Sequence, residues 1–495
     1  MSDVFEPLSV VYGSGDAAAP ALVSPDDGLA LTRGELAECV DRLARGLAGL
    51  GVKSGDRVCL AFPNGPEIVE LLLAVTALGA AAAPLNPAYT AEEYAFYLTD
   101  LAPRVLLLPE GEGAAARAAV SAPTRIVEVG SQDGRASLLP GVPAAGYPAG
   151  GPEEIAILLH TSGTTSRPKQ VPLLQRNLVA SARSIARHYE LTAADVSYVA
   201  MPLFHVHGLV ASTLATLAAG GAVAVPRRLA PGRFWRQLGE LGVTWFSAGP
   251  TIHHMLLERA APPAATALRF VRSCSSALSP ELLARCEAVY GVPMLEAYGM
   301  TEASHEMAAN PLPPRPRKPG TVGVPTGADV RIVAPDWAEL PPGMPGEVAI
   351  SGPGLTPGYL ANPQANAESF RNGWFRTGDQ GVLEDGYLRL VGRIKELIIR
   401  GGENISPGEV EETLKAHSAV ADAAVFGIPD EKYGEVVAAA VALSDAVDER
   451  ELIEHCRQRL TAVKVPAVIH VLPEIPRTPT GKLQRRRVAA AIYGD

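Results

Sequence analysis

From Arg57 onward the chain alternates short apolar runs with longer stretches of helical period, and this alternation limits the folds open to it. RVCLAF (Arg57–Phe62), RVLLL (Arg104–Leu108), RIVEV (Arg125–Val129) and IAILL (Ile155–Leu159) are apolar almost without interruption, as a strand covered on both faces must be. Between them, PEIVELLLAVTALG (Pro66–Gly79) and RNLVASARSIARHY (Arg176–Tyr189) have the period of a helix. VSYVAM, AVAVP, VTWFSA and LRFVRSC continue the strand series. Parallel neighbours need a crossover long enough to hold a helix, so the pattern predicts α/β layers with a largely parallel sheet. The apolar stretch Leu71–Leu85 reads as a buried helix running into a strand, because Gly79 and Pro84 interrupt it. Glu110–Gly151, rich in Ala, Gly and Pro, reads as a surface excursion.

After about Asp329 the pattern changes. VRIV, GEVAIS and VLEDGYLRLVGR suggest antiparallel strands, with a hairpin turn at Asp385-Gly386. Further on, Ser406 is placed to cap a helix, with Pro407 at its first position and Glu409 completing a capping box. Beyond it, strands and helices alternate on a smaller scale. The expected organisation is α/β: a large N-terminal domain of layered sheets and helices, residues 1–393, and a small mobile α+β C-terminal domain, residues 394–495.

Composition excludes several classes. The chain is 47% hydrophobic and carries a net charge of -10, so it can bury a large core and is a poor candidate for non-specific nucleic-acid binding; a polyanion would have to be held by local groups. The five cysteines, Cys39, Cys59, Cys274, Cys286 and Cys456, form no C-x-x-C pair; neither a disulfide framework nor a zinc site is expected. The start, MSDVFEPLSVVYGSGD, does not read as a secretory signal, and no membrane span is expected; the compartment expected is the cytoplasm.

Several short segments carry groups suited to a nucleotide. HTSGTTSRPKQVPL (His160–Leu173) follows a strand and is expected to precede a helix. Main-chain N–H groups and hydroxyls there can point at an anion, Gly163 permits close approach, and Lys169 adds a mobile charge. EAYGMTE (Glu296–Glu302) sets a ring that can stack on a base, a hydroxyl that can bond phosphate, and a carboxylate that can hold Mg²⁺, a hard ion that prefers oxygen. In GWFRTGD, Asp379 can accept two ribose hydroxyls; in GRIK, Arg393 adds donors. PRTPTGK places Lys482 at the end of an exposed loop.

In this order, TSGTTSRPK, EAYGMTE, GWFRTGD, GRIKELIIRGGENISP and PTGK closely resemble the motifs of the adenylate-forming superfamily, over nearly the whole chain. That resemblance implies two half-reactions: a carboxylate attacks the α-phosphate of ATP, and a thiol, usually that of coenzyme A, then displaces AMP. It implies that Thr161, Ser162, Gly163, Thr164, Thr165 and Lys169 hold the β- and γ-phosphates. Tyr298 would flank adenine, with Ser276, Ala277, Glu296, Ala297 and Gly299 also binding ATP; Thr301 would touch the α-phosphate, and Glu302 would coordinate Mg²⁺. Asp379 and Arg393 would meet the ribose, and Lys482 would be the adenylating lysine. Lys395 would be the hinge that exchanges the Lys482 loop for Gly401, Gly402 and Glu403, which would line the thiol tunnel. Gln170 departs from the pattern, which commonly has glycine after the loop lysine.

PLFHVHGL, PTIHHMLLERA, RFVRSCSSALSP and EAYGMTEASHEM are similar to the oxalate–CoA ligase group. The resemblance implies that His205, Ser275 and His305 contact the acid, with His207 beside them; His205 is also expected among the catalytic groups. Imidazoles and hydroxyls suit a small polar acid better than a fatty acyl tail. His253 and His254 are expected to be structural. Two alternatives stay open: an adenylate-forming enzyme using another acid, or nitrite, or a carrier-protein or amine acceptor; and a nucleotide-binding protein without turnover. The partners expected are ATP, CoA and the acid, on a monomer or homodimer.

Overall fold

The computed structural model describes residues 6–132, 135–139, 142–161, 168–258, 266–478 and 483–494. Four sheets organise it. The largest has nine strands in the order Val324–Pro325, His305–Ala309, Met294–Met300, Phe270–Ser273, Trp245–Ala248, Val196–Val199, Ala222–Ala224, Pro20–Val23, Ala30–Thr32. From Pro20–Val23 to Met294–Met300 its neighbours run parallel, and antiparallel strands close both edges. Its inner strands are buried on both faces, which is why they read as largely apolar runs. Trp245, Phe246 and Phe270 are fully buried, and Tyr189 stacks on Phe270 with ring centroids 5.0 Å apart.

A seven-stranded sheet has the order Arg135–Leu138, Arg125–Gln132, Val105–Pro109, Arg57–Leu60, Ala81–Pro84, Ile155–Thr161, Lys169–Leu174. The helix Pro66–Ala77 is buried on nearly every side and leads into the buried strand Ala81–Pro84, as the interrupted apolar stretch predicts. The expected surface excursion is more structured than its composition suggests: it contains the helix Ala114–Ala119 and the hairpin Arg125–Gln132/Arg135–Leu138. A second correction bears on the candidate site. The loop after Ile155–Thr161 does not lead into a helix but returns as the antiparallel strand Lys169–Leu174, and the helix Gln175–His188 follows that. Pro172 hides this strand from a sequence reading. Its position on the sheet edge is where a strand tolerates proline.

A five-stranded sheet is built from Asp329–Val333, Gly346–Ser351, Trp374–Glu384, Phe370–Arg371 and Tyr387–Arg393. Asp385 and Gly386 both take positive φ, 50° and 78°, and make the predicted hairpin turn. The last sheet joins Glu403–Ile405, Ile398–Arg400, Gly434–Leu443, Val420–Asp430 and Val468–Val471, with the helices Pro407–Lys415, Glu449–Arg457 and Arg485–Tyr493. Ser406 and Pro407 open the first of these helices as expected, but the capping box does not form. The Ser406 hydroxyl donates to the Val391 carbonyl at 2.7 Å, and Glu409 pairs with Lys464 at 2.7 Å.

The chain forms two compact units: residues 1–275, 281–330 and 350–375, and residues 276–280, 331–349 and 376–495. All five cysteines are buried thiols. Among the described residues no helix is long and apolar enough to cross a membrane.

Candidate active site

Within the first unit, the strand pair Ile155–Thr161/Lys169–Leu174 forms the stem of the expected phosphate loop, with Thr161 opposite Lys169 and His160 opposite Gln170. Ser162, Gly163, Thr164 and Thr165 lie outside the described residues, as does Lys482. Gln170, the departure from the family pattern, has a clear role in this stem. Its amide donates to Asp100 twice, to the main-chain oxygen at 2.8 Å and to Oδ2 at 2.7 Å. His160 Nε2 lies 2.8 Å from the same Oδ2. Asp100 therefore ties one residue from each strand of the stem to the end of the helix Ala91–Leu101. Gln170→Gly is expected to lower stability by about 1–2 kcal/mol and to raise KM for ATP more than it lowers kcat; thermal melts with and without ATP, together with steady-state kinetics, check both.

Lys169 and Glu302 meet through one ring. Lys169 Nζ lies 4.4 Å from the centroid of Tyr359, whose hydroxyl donates to Glu302 Oε1 at 2.9 Å. Glu302 is buried in the short 3-10 turn Thr301–Ala303, and its carbonyl accepts from the Thr356 amide at 2.7 Å. A buried carboxylate with one oxygen engaged by a phenol presents the other as a hard ligand, which fits Mg²⁺. Just upstream, Glu296, Ala297 and Tyr298 are buried on Met294–Met300, and Glu296 Oε2 accepts from the Gly320 amide at 3.0 Å. Gly299 is required sterically: a Cβ there would lie 2.1 Å from the His305 carbonyl oxygen.

The expected acid groups converge in part. His207 opens a π-helical turn, His207–Leu214, a form often found at functional sites. Its Nδ1 is 2.9 Å from Ser275 Oγ and its Nε2 is 2.6 Å from Ser247 Oγ. The rings of His207 and His305 stack with centroids 5.1 Å apart and planes 19° apart. His205 is half-buried beside Phe204, with ring centroids 4.7 Å apart. Ser275, Ser304 and His305 all hold positive φ, 80°, 53° and 107°. Such strain in residues with side chains persists only where the surroundings impose it, and it clusters at functional sites.

Beneath these groups lies a residue that motif reading passed over. Arg272 is completely buried. It donates to Glu306 Oε2 at 2.8 Å, Ser247 Oγ at 3.0 Å and Tyr189 Oη at 3.1 Å, and it lies 2.9 Å from His305 Nε2. Burial weighs against the guanidinium charge, but Tyr189 and Glu306 together hold its pKa above the ordinary value, so the arginine is charged. Burial pushes the Glu306 carboxyl upward, with the Arg272 charge opposing it. The available signal was a lone charge inside the apolar run RFVRSC. His253 is structural, as expected: it is buried, its Nε2 lies 3.2 Å from the Arg272 carbonyl, and burial lowers its pKa to about 4. His254 is exposed, with Nδ1 3.2 Å from Glu258 Oε1.

In the second unit, Asp379 and Arg393 face each other across adjacent strands, with Arg393 Nε 2.6 Å from Asp379 Oδ1. Ser276, Ala277 and Lys395 are exposed. Gly401 and Gly402, at φ 59° and 90°, make the turn before the exposed Glu403.

The family model described as AMP-binding enzyme matches residues 13–360, and that of the AMP-binding enzyme C-terminal domain matches residues 409–482. The chain belongs to the AMP-binding enzyme family, and the motif resemblance and the layered α/β fold expected from sequence both hold. More particularly, it is similar to CoA ligases. It is 46% identical to a probable CoA ligase, CCL9, of Humulus lupulus, over 93% of this chain and 91% of that protein. It is 45% identical to an oxalate–CoA ligase of Arabidopsis thaliana over 93% of each chain. It is 41% identical to an oxalate–CoA ligase of Saccharomyces cerevisiae over 88% of this chain and 86% of that one. Among solved structures, ATP-bound MatB from Rhodopseudomonas palustris superposes with a TM-score of 0.90 at 29% identity, covering 99% of each chain. O-succinylbenzoate CoA synthetase from Bacillus subtilis, in complex with ATP and magnesium, superposes with a TM-score of 0.86 at 30% identity, covering 98% of this chain and 99% of that one.

Proposed function

We propose that the protein is an ATP-dependent, AMP-forming acid–CoA ligase whose acid is oxalate. The observation that carries this reading is the His207–Ser275–His305 cluster, held on a buried polar frame in a chain 45% identical to an oxalate–CoA ligase. A small acid with oxygens at both ends needs hydrogen-bond donors along its whole length, and an apolar tunnel would leave its second carboxylate desolvated and unpaired. On this reading His205 and His207 close the acid pocket with Ser275 and His305.

In the first half-reaction one carboxylate oxygen attacks the α-phosphorus of ATP, and the bond to pyrophosphate breaks. The stem of Thr161 and Lys169, with Ser162, Gly163, Thr164 and Thr165, holds the departing β- and γ-phosphates. Ser276, Ala277, Glu296, Ala297, Tyr298 and Gly299 bound the adenine, and Asp379 and Arg393 take the ribose. Thr301 bonds the α-phosphate, and Lys482 supplies charge where negative charge builds. Glu302 would hold Mg²⁺, which neutralises phosphate charge when bound. In the second half-reaction the CoA sulfur attacks the acyl carbon and AMP leaves. Rotation at Lys395 withdraws Lys482 and brings in Gly401, Gly402 and Glu403 along the path of the thiol.

The test is an acid screen by pyrophosphate exchange, with AMP and CoA thioester measured separately. Oxalate is expected to give both products and to exceed malonate, acetate, a hydroxycinnamate and nitrite by about tenfold or more in kcat/KM. Preference for another acid, or AMP release without thioester, would overturn the substrate or the acceptor respectively.

A further inference from the structure

The chemistry above uses His207, Ser275 and His305 but leaves unexplained why a fully buried arginine lies beneath them. An ion pair with Glu306 alone would need only one of its N–H groups. Arg272 has three further contacts, and two of them lead to acid-pocket imidazoles: directly to His305 Nε2 at 2.9 Å, and to Ser247 Oγ at 3.0 Å, which in turn lies 2.6 Å from His207 Nε2.

The donors and acceptors within reach assign a direction to each bond. A guanidinium has donors and no acceptor, so His305 Nε2 must accept, and the ring's proton sits on Nδ1. Ser247 Oγ accepts from Arg272, and its own hydroxyl hydrogen is satisfied by donating to His207 Nε2, its other side-chain partner at 2.6 Å. His207 then also carries its proton on Nδ1 and donates it to Ser275 Oγ at 2.9 Å. The two stacked rings, 5.1 Å apart, thus point the same way, with both Nε2 atoms toward the arginine's side and both Nδ1–H groups away from it.

We infer that Arg272 is a specificity-determining positioning residue: it locks His207 and His305 in the same tautomer, so that both rings offer Nδ1–H donors and the acid pocket favours an acid with acceptor oxygens at both ends. The inference rests on the reading that these histidines and Ser275 meet the acid. Arg272 itself touches no substrate.

Two measurements test it. The first uses the wild-type protein with ring-¹⁵N histidine, assigned through His207→Asn and His305→Asn. Long-range ¹H–¹⁵N spectra are expected to show both rings protonated at Nδ1 and bare at Nε2 from about pH 6 to about pH 8, across the range where a free imidazole titrates. A proton on Nε2 of either ring overturns the inference, whatever acid the enzyme uses. The second uses Arg272→Lys, which keeps the charge but not the planar fork. Its kcat/KM for oxalate is expected to fall about tenfold further than its kcat/KM for acetate, roughly one lost hydrogen-bond geometry. An equal fall for both acids, or a change in melting temperature alone, assigns Arg272 to structure and overturns the inference. The parent reading fails separately: if both rings are protonated at Nδ1 and wild-type enzyme ignores oxalate, the oxalate assignment falls and the tautomer lock stands.

Discussion

Lys482→Ala is expected to reduce ATP–pyrophosphate exchange by at least about a hundredfold, the scale on which a preorganised charge at a developing anion acts. The same variant should form thioester from CoA and a supplied acyl-adenylate at nearly the wild-type rate. The split follows from the chemistry. In adenylation the carboxylate oxygen and the α-phosphate approach each other, both anionic, and a lysine bridging them lowers the barrier directly. In thioester formation AMP is the leaving group and the nucleophile is a sulfur, so on the proposed hinge reading a charge withdrawn by rotation at Lys395 has no remaining task. Single-turnover assays of each half-reaction check this. Equal loss in both would mean that Lys482 stays in place throughout, and the hinge reading would fall.

Glu302→Gln is expected to have the second-largest effect. Tyr359 donates to Glu302 Oε1 at 2.9 Å, and a glutamine amide oxygen can accept that bond equally well, so the fold around the turn should survive. What is lost is the anionic oxygen that suits Mg²⁺. Adenylation should fall by about a hundredfold, roughly 2.7 kcal/mol of lost charge stabilisation, and the Mg²⁺ concentration needed for half-maximal rate should rise. Thioester formation from supplied adenylate should be unaffected. Tyr359→Phe separates the alternatives: it removes the phenol but keeps the carboxylate and the ring under Lys169, 4.4 Å away. If Glu302→Gln merely copies Tyr359→Phe, with no change in Mg²⁺ dependence, Glu302 serves as an anchor for the tyrosine.

Much of the fold was legible because its signals are local. A parallel strand buried on both faces is mostly apolar, and Trp245–Ala248 and Phe270–Ser273 stand out on that ground despite the polar Ser247, Arg272 and Ser273 within them. The Asp385-Gly386 turn needs two positive φ values, and that pair of residues adopts them at low cost. The failures were also physical. Pro172 made an edge strand look like a loop, and Ser406, placed to cap, found a better acceptor in the Val391 carbonyl, 15 residues earlier.

The candidate site divides in the same way. By itself the sequence determined the family, the order of the nucleotide motifs and the two half-reactions they imply, because these depend on residue types at short spacings. Only the tertiary structure decided what Gln170 does and which groups stand behind the acid histidines. Gln170 meets an acceptor 70 residues away in Asp100. Arg272 meets Tyr189 across 83 residues and His305 across 33, and it reaches His207 only through Ser247. No local pattern records such partners. A buried polar group takes whatever donor or acceptor the packed sheets bring within about 3 Å, and that distance exists only once the chain has folded.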